Sequence, residues 1–358
     1  MAPEFVSNEE IILAARKNLA QGPWDYLVGG SESETTLRRN RLAFDRVAFR
    51  PRVLRDVSSI DTSTEFMGSK LRIPVLLAPL GSLQVFDPGG GATVAKAAGE
   101  FGVTHVVSTA TQPGLEDIMA ASSAAKIFQL YVRGDNAWVE EFVTRAARLG
   151  YQGLAVTVDL AVDSYRERPM ISRWTRPSRR VEFDRSWQAK LTWEQLDWIN
   201  RLTDMPLLLK GVQTAEDAEI ALDHNVDVIW VSNHGGRQLD HALGSLDTLR
   251  EVAPVVNGRA KIVVDGGIQR GSDILKAIAL GADAVSIGRL QAWGLAAAGQ
   301  AGVARVLEIL ENEMISAMGL MGVASLDELG PEYLREAEPV TPPHEMSAWV
   351  NMPGYRIL

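Results

Sequence analysis

The chain contains no cysteine. Disulfides, cysteine-ligated metal centres and a thiol nucleophile are therefore excluded, and the absence suits a reducing compartment. Positive charge is also in short supply: 36 Lys and Arg stand against 45 Asp and Glu, a formal net charge of -9. A nucleic-acid binder is expected to carry a basic patch, and none is evident. Long apolar runs are missing too. No stretch approaches the ~20 residues that a bilayer-spanning helix needs. The opening "MAPEFVSNEE" has no basic segment leading into an apolar one, so no secretory signal is expected. Together these absences predict a cytoplasmic protein with neither nucleic acid nor membrane as a partner. A small anionic ligand stays possible, because a local cluster of arginines can override the global sign.

What the sequence does have is a rhythm. Ser7 and Glu10 make a capping box before the amphipathic "IILAARKNLA". This predicts an N-terminal helical segment, broken at Gly29 and Gly30. From Ile73 onward, short apolar runs alternate with helical patterns: "IPVLLAPL", "VTHVVS", "KIFQLYV", "GLAVTVD", "MPLLLKG", "VDVIWVSN", "AKIVVDGG" and "ADAVSIGR". Near-continuous Val, Ile and Leu is what strands buried on both faces require. Eight β/α units predict an α/β fold, a closed TIM (β/α)8 barrel, with residues 1–358 as one domain. Asp135, Thr192 and Thr214 (with Asp217) are placed to cap helix starts. No G-x-G-x-x-G follows the first strand, which argues against a Rossmann dinucleotide site.

Two segments interrupt the rhythm. Residues 160–190 follow the fourth strand and contain "YRERPMISRWTRPSRRVEFDRSW". A connection this long without clear secondary structure is expected to be an active-site lid. The tail from Ser325 to Leu358 is expected to pack over the barrel or a neighbouring subunit.

Active sites of such barrels lie at the C-terminal ends of the strands. In order, those ends offer Pro79, Leu80 and Gly81; Ser108; Gln129 and Tyr131; Thr157 and Asp159; Lys210; Ser232, Asn233 and His234 with Arg237 beyond; Asp265, Gly266 and Gly267; Gly288 and Arg289. Each alone reads as an ordinary strand end or cap. Convergence of so many polar groups on one rim reads as a site. The glycines after strands seven and eight suit a phosphate, through backbone N–H groups and a helix N-terminus.

At these residues the chain resembles the FMN-dependent L-2-hydroxy acid oxidase and dehydrogenase family, which includes glycolate oxidase, lactate oxidase, mandelate dehydrogenase and flavocytochrome b2. "SNHGGRQLD" is the most specific motif, supported by "FQLYV", "TVD", "LLLKGV" and "DGGIQRG". The resemblance implies FMN as cofactor and oxidation of an (S)-2-hydroxy acid to the 2-oxo acid. It implies His234 as the base, Asp159 as its carboxylate partner, and Arg166 and Arg237 as the pair on the substrate carboxylate. Tyr26 and Tyr131 fall where substrate-contacting hydroxyls stand, and Lys210 where a cation faces the flavin. Gln129, Thr157 and Ser108 match flavin-ring contacts, Pro79 to Gly81 the backbone along that ring, and Ser232 a ring or ribityl contact. Asp265 and Gly267 match ribityl and phosphate contacts, with Gly288 and Arg289 at the phosphate.

The departures are informative. Gln269 stands where the family usually has a phosphate-binding Arg, with Arg270 next to it as a candidate replacement. Gly81 replaces a frequent Ala, and Ala110 replaces the Trp of glycolate oxidase. Both changes remove bulk and predict a substrate with a bulky, aryl or long alkyl side chain. O2 is the expected electron acceptor, giving H2O2. The alternatives are a quinone- or carrier-linked dehydrogenase and a decarboxylating monooxygenase. An FMN-dependent isomerase and a non-catalytic scaffold are the readings from outside the class. The resemblance also implies a homo-oligomer, a tetramer or octamer. The ending "YRIL" lacks a peroxisomal signal, in keeping with a cytoplasmic location.

Overall fold

Eight short parallel strands close on themselves in sequence order. They are β1 (Val75–Leu77), β2 (Thr104–Ser108), β3 (Lys126–Leu130), β4 (Leu154–Thr157), β5 (Leu207–Val212), β6 (Val228–Val231), β7 (Lys261–Asp265) and β8 (Ala284–Ile287). The closing pair is β8 with β1, Val285 opposite Val75 and Ile287 opposite Leu77. The computed structural model describes residues 5–177, 184 and 186–339. Each predicted apolar run coincides with one of the strands, the fifth extending one residue beyond its run to Val212, and the predicted TIM barrel is what forms.

Alternation along the strands builds two cores. Residues pointing out, such as Leu77, Val107, Phe128 and Val156, pack against the surrounding helices. Residues pointing in fill the barrel: Leu76, Val106, Ile127, Ala155, Leu208, Trp230, Val263 and Ala284. A hairpin, Thr64–Phe66 with Ser69–Leu71, adds Phe66 and Leu71 to this interior plug. The barrel is thus a filled core with its chemistry displaced to one rim.

Three helices precede the barrel: α1 (Asn8–Asn18), α2 (Gln21–Val28) and α3 (Thr35–Asp45). Ser7 caps α1 by accepting from the Glu10 N–H, but Glu10 reaches back to the Val6 N–H rather than to Ser7. Asp135 and Thr214 cap their helices as predicted, whereas the Thr192 side chain makes no capping bond. The start of α3 is capped from far along the chain. Asp240 accepts from the Thr36 N–H at 2.7 Å and from the Ser33 hydroxyl at 2.9 Å. Burial alone would raise the Asp240 pKa, but these donors hold it down to about 2.

The segment after β4 is less irregular than its sequence suggests. It contains short helices at Glu167–Ile171 and Ser186–Ala189; part of the expected 160–190 lid lies outside the described residues. Of the C-terminal tail, Leu334–Glu336 pairs with Val47–Phe49, and 340–358 fall outside the described residues.

One buried group gives the fold a pH dependence. His105 points outward from β2 at 1% exposure, and neither ring nitrogen has a partner among the described residues. Burial, with Lys126 alongside, pushes its pKa from 6.5 to about 3. The folded state therefore keeps His105 neutral while the unfolded chain takes up a proton below 6.5. Stability from this group is full above 6.5 and is lost as pH falls toward 3, at a limit of ~1.4 kcal/mol per pH unit. Urea unfolding at fixed FMN concentration is expected to lose ~2 kcal/mol more between pH 7.5 and 5 in the parent than in His105→Leu. Equal losses in the two proteins would remove His105 as the cause.

Candidate active site

Two residues beyond the apolar plug, the same inward face of the strands turns polar. The next inward positions are Ala78, Ser108, Gln129, Thr157, Lys210, Ser232, Asp265 and Ser286, all of them buried. Most are joined. Lys210 Nζ lies 2.8 Å from Ser232 Oγ and 3.1 Å from Asp265, and Ser232 donates to Asp265 at 2.8 Å. Trp230 Nε1 donates to the other Asp265 oxygen at 3.0 Å, and Gln129 Nε2 donates to Thr157 Oγ1 at 2.8 Å. Burial opposes the charge on Lys210, but Asp265 and Asp159 raise its pKa, so the ammonium persists.

Above this ring stands the turn after β6. His234, Gly235 and Gly236 all have positive φ, at 59°, 65° and 73°. For a histidine this is a strained backbone of the kind found at functional sites. The turn is held by a reciprocal amide pair, Asn40 Nδ2 to Asn233 Oδ1 at 2.9 Å and Asn233 Nδ2 to Asn40 Oδ1 at 2.7 Å. Gly236 is obligatory for a second reason: a Cβ there would lie 2.5 Å from the Leu37 backbone nitrogen.

The strained turn aims His234 at Asp159. Nδ1 sits 3.1 and 3.2 Å from the two Asp159 oxygens, and Nε2 is 3.5 Å from the Tyr131 hydroxyl. With Asp159 accepting from Nδ1–H, Nε2 is the unprotonated nitrogen and faces the cavity. Burial lowers the His234 pKa, Asp159 pulls it back up, and Lys210 and Arg166 push it down again, for a net lowering. Burial would raise the Asp159 pKa, but His234 and Lys210 outweigh it and the carboxylate stays ionised.

The arginines converge on the same point. Arg166 is fixed by the Arg237 carbonyl at 3.0 Å and by Gln238 Oε1 at 2.6 Å. Arg237 donates to the Gly29 carbonyl at 2.8 Å and lies 5.0 Å over the Tyr26 ring. The Tyr26 hydroxyl donates to the Gly81 carbonyl at 3.1 Å. Tyr26, Tyr131, Arg166, Lys210, His234 and Arg237 all line one cavity.

The expected cofactor residues divide into two groups. Pro79, Leu80, Gly81, Lys210, Asp265, Gly267, Gly288 and Arg289 line the cavity wall. Ser108, Gln129, Thr157 and Ser232 lie in the polar ring rather than in that wall, the Ser108 hydroxyl accepting from the Ala110 N–H at 3.2 Å.

Two observations test whether a flavin nucleotide suits these residues. Gln129 Oε1 and Ser286 Oγ are buried and have no partner among the described residues, so a ring bearing complementary polar atoms would satisfy groups that are otherwise costly. Among the described residues, Arg289 donates only to backbone carbonyls, Gly235 at 2.9 Å and Gly29 at 3.0 Å. Burial, with Arg237 nearby, pushes its pKa down to about 9. A guanidinium does not surrender its proton, so the shift marks a site that gains from an anion such as a phosphate. The residues fit FMN.

Arg270 does not take the place of the missing phosphate arginine. It is drawn away by Glu313 at 2.7 Å and Glu9 at 3.4 Å. Gln269 lines the cavity instead, beside Arg41, whose guanidinium is held by both Asp273 oxygens. Sequence reasoning passed over Ser286, Trp230, Gln238 and Asn40. Ser286 was discoverable by parity, two residues before Gly288. Gln238 lies inside the motif, but its hold on Arg166 depends on the fold of the loop after β4. Nothing in the sequence links Asn40 to a turn 193 residues away.

Similarity to known proteins extends over most of the chain. The sequence profile of the FMN-dependent dehydrogenase family matches residues 15–336. The chain is 38% identical over 347 residues to an L-lactate oxidase of Nostoc sp., covering 89% of this chain and 95% of the relative. It is 38% identical over 329 residues to 2-hydroxyacid oxidase 2 of Homo sapiens, covering 88% and 94%. A crystal structure of mandelate oxidase superposes with a TM-score of 0.88 at 37% identity, covering 94% of this chain and all of that one.

Proposed function

Because the chain belongs to the FMN-dependent dehydrogenase family, and is thus an FMN-dependent enzyme of 2-hydroxy acid oxidation, we propose that its substrate is an (S)-2-hydroxy acid with a bulky side chain and that O2 is its electron acceptor. The observation that carries the reading of the site is the His234–Asp159 pair, with His234 lining the same cavity as Arg166 and Arg237. Bound FMN supplies the acceptor for two electrons. Arg166 and Arg237 grip the substrate carboxylate through forked N–H groups. Tyr131 and Tyr26 orient the hydroxyl and carboxylate ends. His234 Nε2 takes the proton released as the substrate is oxidised, and Asp159 stabilises the imidazolium formed. Lys210 supplies positive charge from the cavity floor. Residues Pro79 to Gly81, Ser108, Gln129, Thr157, Ser232, Asp265, Gly267, Gly288 and Arg289 hold the cofactor.

The side-chain reading rests on Gly81 and Ala110. They are neighbours, since a Cβ on Gly81 would meet the Ala110 Cβ at 3.0 Å. Both wall the cavity, so the space their small side chains leave is shared. The 160–190 segment acts as a lid, a role supported by Ala161, Val162 and Arg166 at the cavity. The whole of 1–358 forms one domain of a cytoplasmic homo-oligomer.

Anaerobic mixing with mandelate, lactate and glycolate is expected to bleach the flavin, with kcat/KM for mandelate above that for glycolate by about tenfold or more. In air, peroxide should appear in step with the 2-oxo acid. A preference for glycolate would end the pocket reading. Bleaching without peroxide would mark a carrier-linked dehydrogenase, and loss of CO2 from the product a monooxygenase.

A further inference from the structure

The Tyr26 hydroxyl has two duties and one proton. It donates to the Gly81 carbonyl at 3.1 Å, and in the reading above it also orients the substrate. An O–H turns from one acceptor to another by rotating about its C–O bond, provided the oxygen itself holds still. What fixes the ring therefore bears on the reaction. Phe86, from the loop after β1, stacks on it with centroids 6.2 Å apart and planes within 7°. Trp174 packs against it at 5.3 Å, tilted by 37°. Arg237 adds its guanidinium at 5.0 Å.

Trp174 reaches this place from the loop after β4. It follows the short helix Glu167–Ile171, whose N-cap is Arg166, and its backbone N–H donates to the Pro169 carbonyl at 3.1 Å. The same helix is held to the start of α3 by Arg168 Nε, which donates to Glu34 at 2.6 Å. The indole is seated on α2. Gly22 and Tyr26 stand four residues apart on that helix and so share a face. A Cβ on Gly22 would come within 2.6 Å of the Cβ, Cγ and Cδ1 of Trp174. Those atoms are the stem of the side chain, so no turn of the ring would make room. Glycine at this position leaves the gap in which an indole can lie one helical turn from Tyr26. Trp174 stands outside the cavity wall that Tyr26 helps to form, so its influence on the reaction passes through a neighbour.

We propose that Trp174, seated against Gly22, is a positioning residue that holds the Tyr26 ring and so places its hydroxyl for the substrate. The inference rests on the assignment of Tyr26 to the substrate in the reading above. It gives the segment after β4 two parts in the site. Arg166 meets the carboxylate directly, and Trp174 sets a tyrosine of the same cavity.

Substitutions in the FMN-loaded enzyme test this, with kinetics on whichever of mandelate, lactate and glycolate reduces the flavin best. Tyr26→Phe is expected to lower kcat/KM about 10- to 100-fold, the worth of one hydrogen bond to a charged group. Trp174→Ala should lower it about 3- to 10-fold, the range one aromatic pair supplies. That loss should divide between kcat and KM in the same proportion as in Tyr26→Phe, and Trp174→Phe should recover part of it. Gly22→Ala should reproduce Trp174→Ala with the indole intact, through a change that by itself favours the helix. Two double-mutant cycles decide the route. Gly22→Ala is expected to add less than about twofold in the Trp174→Ala background, where no indole is left to displace. Trp174→Ala is expected to add less than about twofold in the Tyr26→Phe background, where no hydroxyl is left to place. Independent losses in either cycle would overturn the proposal, as would a Trp174→Ala enzyme with parental kinetics. A Tyr26→Phe enzyme with parental kinetics would instead remove Tyr26 from the substrate and take the underlying reading with it.

Discussion

Replacing His234 with Asn slows reduction of bound FMN by a 2-hydroxy acid about 10²- to 10⁴-fold, the share a positioned general base supplies. Asn is the appropriate replacement because it tolerates the left-handed backbone at φ 59° better than most residues. The turn, and with it Gly235 and Gly236, should therefore keep its shape. FMN content should stay at the parental level, since the site assigns His234 to the substrate side. The parent enzyme carries a second signature of the same group. A base acts only when unprotonated, and burial lowers the His234 pKa below 6.5. The acid limb of kcat/KM should consequently fall below that ordinary imidazole value. Activity persists through pH 6.5 and declines only as pH drops through the lowered pKa. Stopped-flow absorbance at the flavin band measures both effects. A His234→Asn enzyme that reduces FMN within a few-fold of the parent rate would place the base elsewhere.

The strands were legible in the sequence because burial on both faces leaves little room for anything but Val, Ile and Leu. So was the rim, because polar residues at the ends of such runs have few structural uses. The boundary between plug and site was written there as well, in the parity that separates Leu208 from Lys210 and Val263 from Asp265. What the sequence concealed is the scaffolding that crosses from one element to another. Asn40 braces the His234 turn from α3, Gln238 anchors Arg166 from the far side of the loop, and Trp230 steadies Asp265 from the neighbouring strand. Asn, Gln and Trp at these positions look like ordinary polar or core residues until their partners arrive. Arg270 shows the opposite failure. Its neighbourhood in sequence suggested a phosphate ligand, but Glu9 on α1 and Glu313 on the long helix Arg289–Met321 claim its charge first.

The two arginines that share the cavity with His234 carry the other large effect. Arg237→Met is expected to lower kcat/KM by about 30- to 4000-fold, the cost of removing one partner of a buried, hydrogen-bonded charge pair. Arg237 is fixed before substrate arrives, by the Gly29 carbonyl at 2.8 Å and the face of Tyr26. Substrate therefore meets a fork already in place, and little side-chain entropy is lost on binding. Arg237→Lys keeps the charge but not the fork, so it should recover only part of the loss. Most of the deficit is expected in KM, because the carboxylate is charged in the ground state and through the reaction alike. Titration of each protein with a substrate-like carboxylate that lacks the 2-hydroxyl, followed by the flavin spectrum, measures the binding component directly. An Arg237→Met enzyme that binds the carboxylate normally but loses FMN would assign this guanidinium to the cofactor instead.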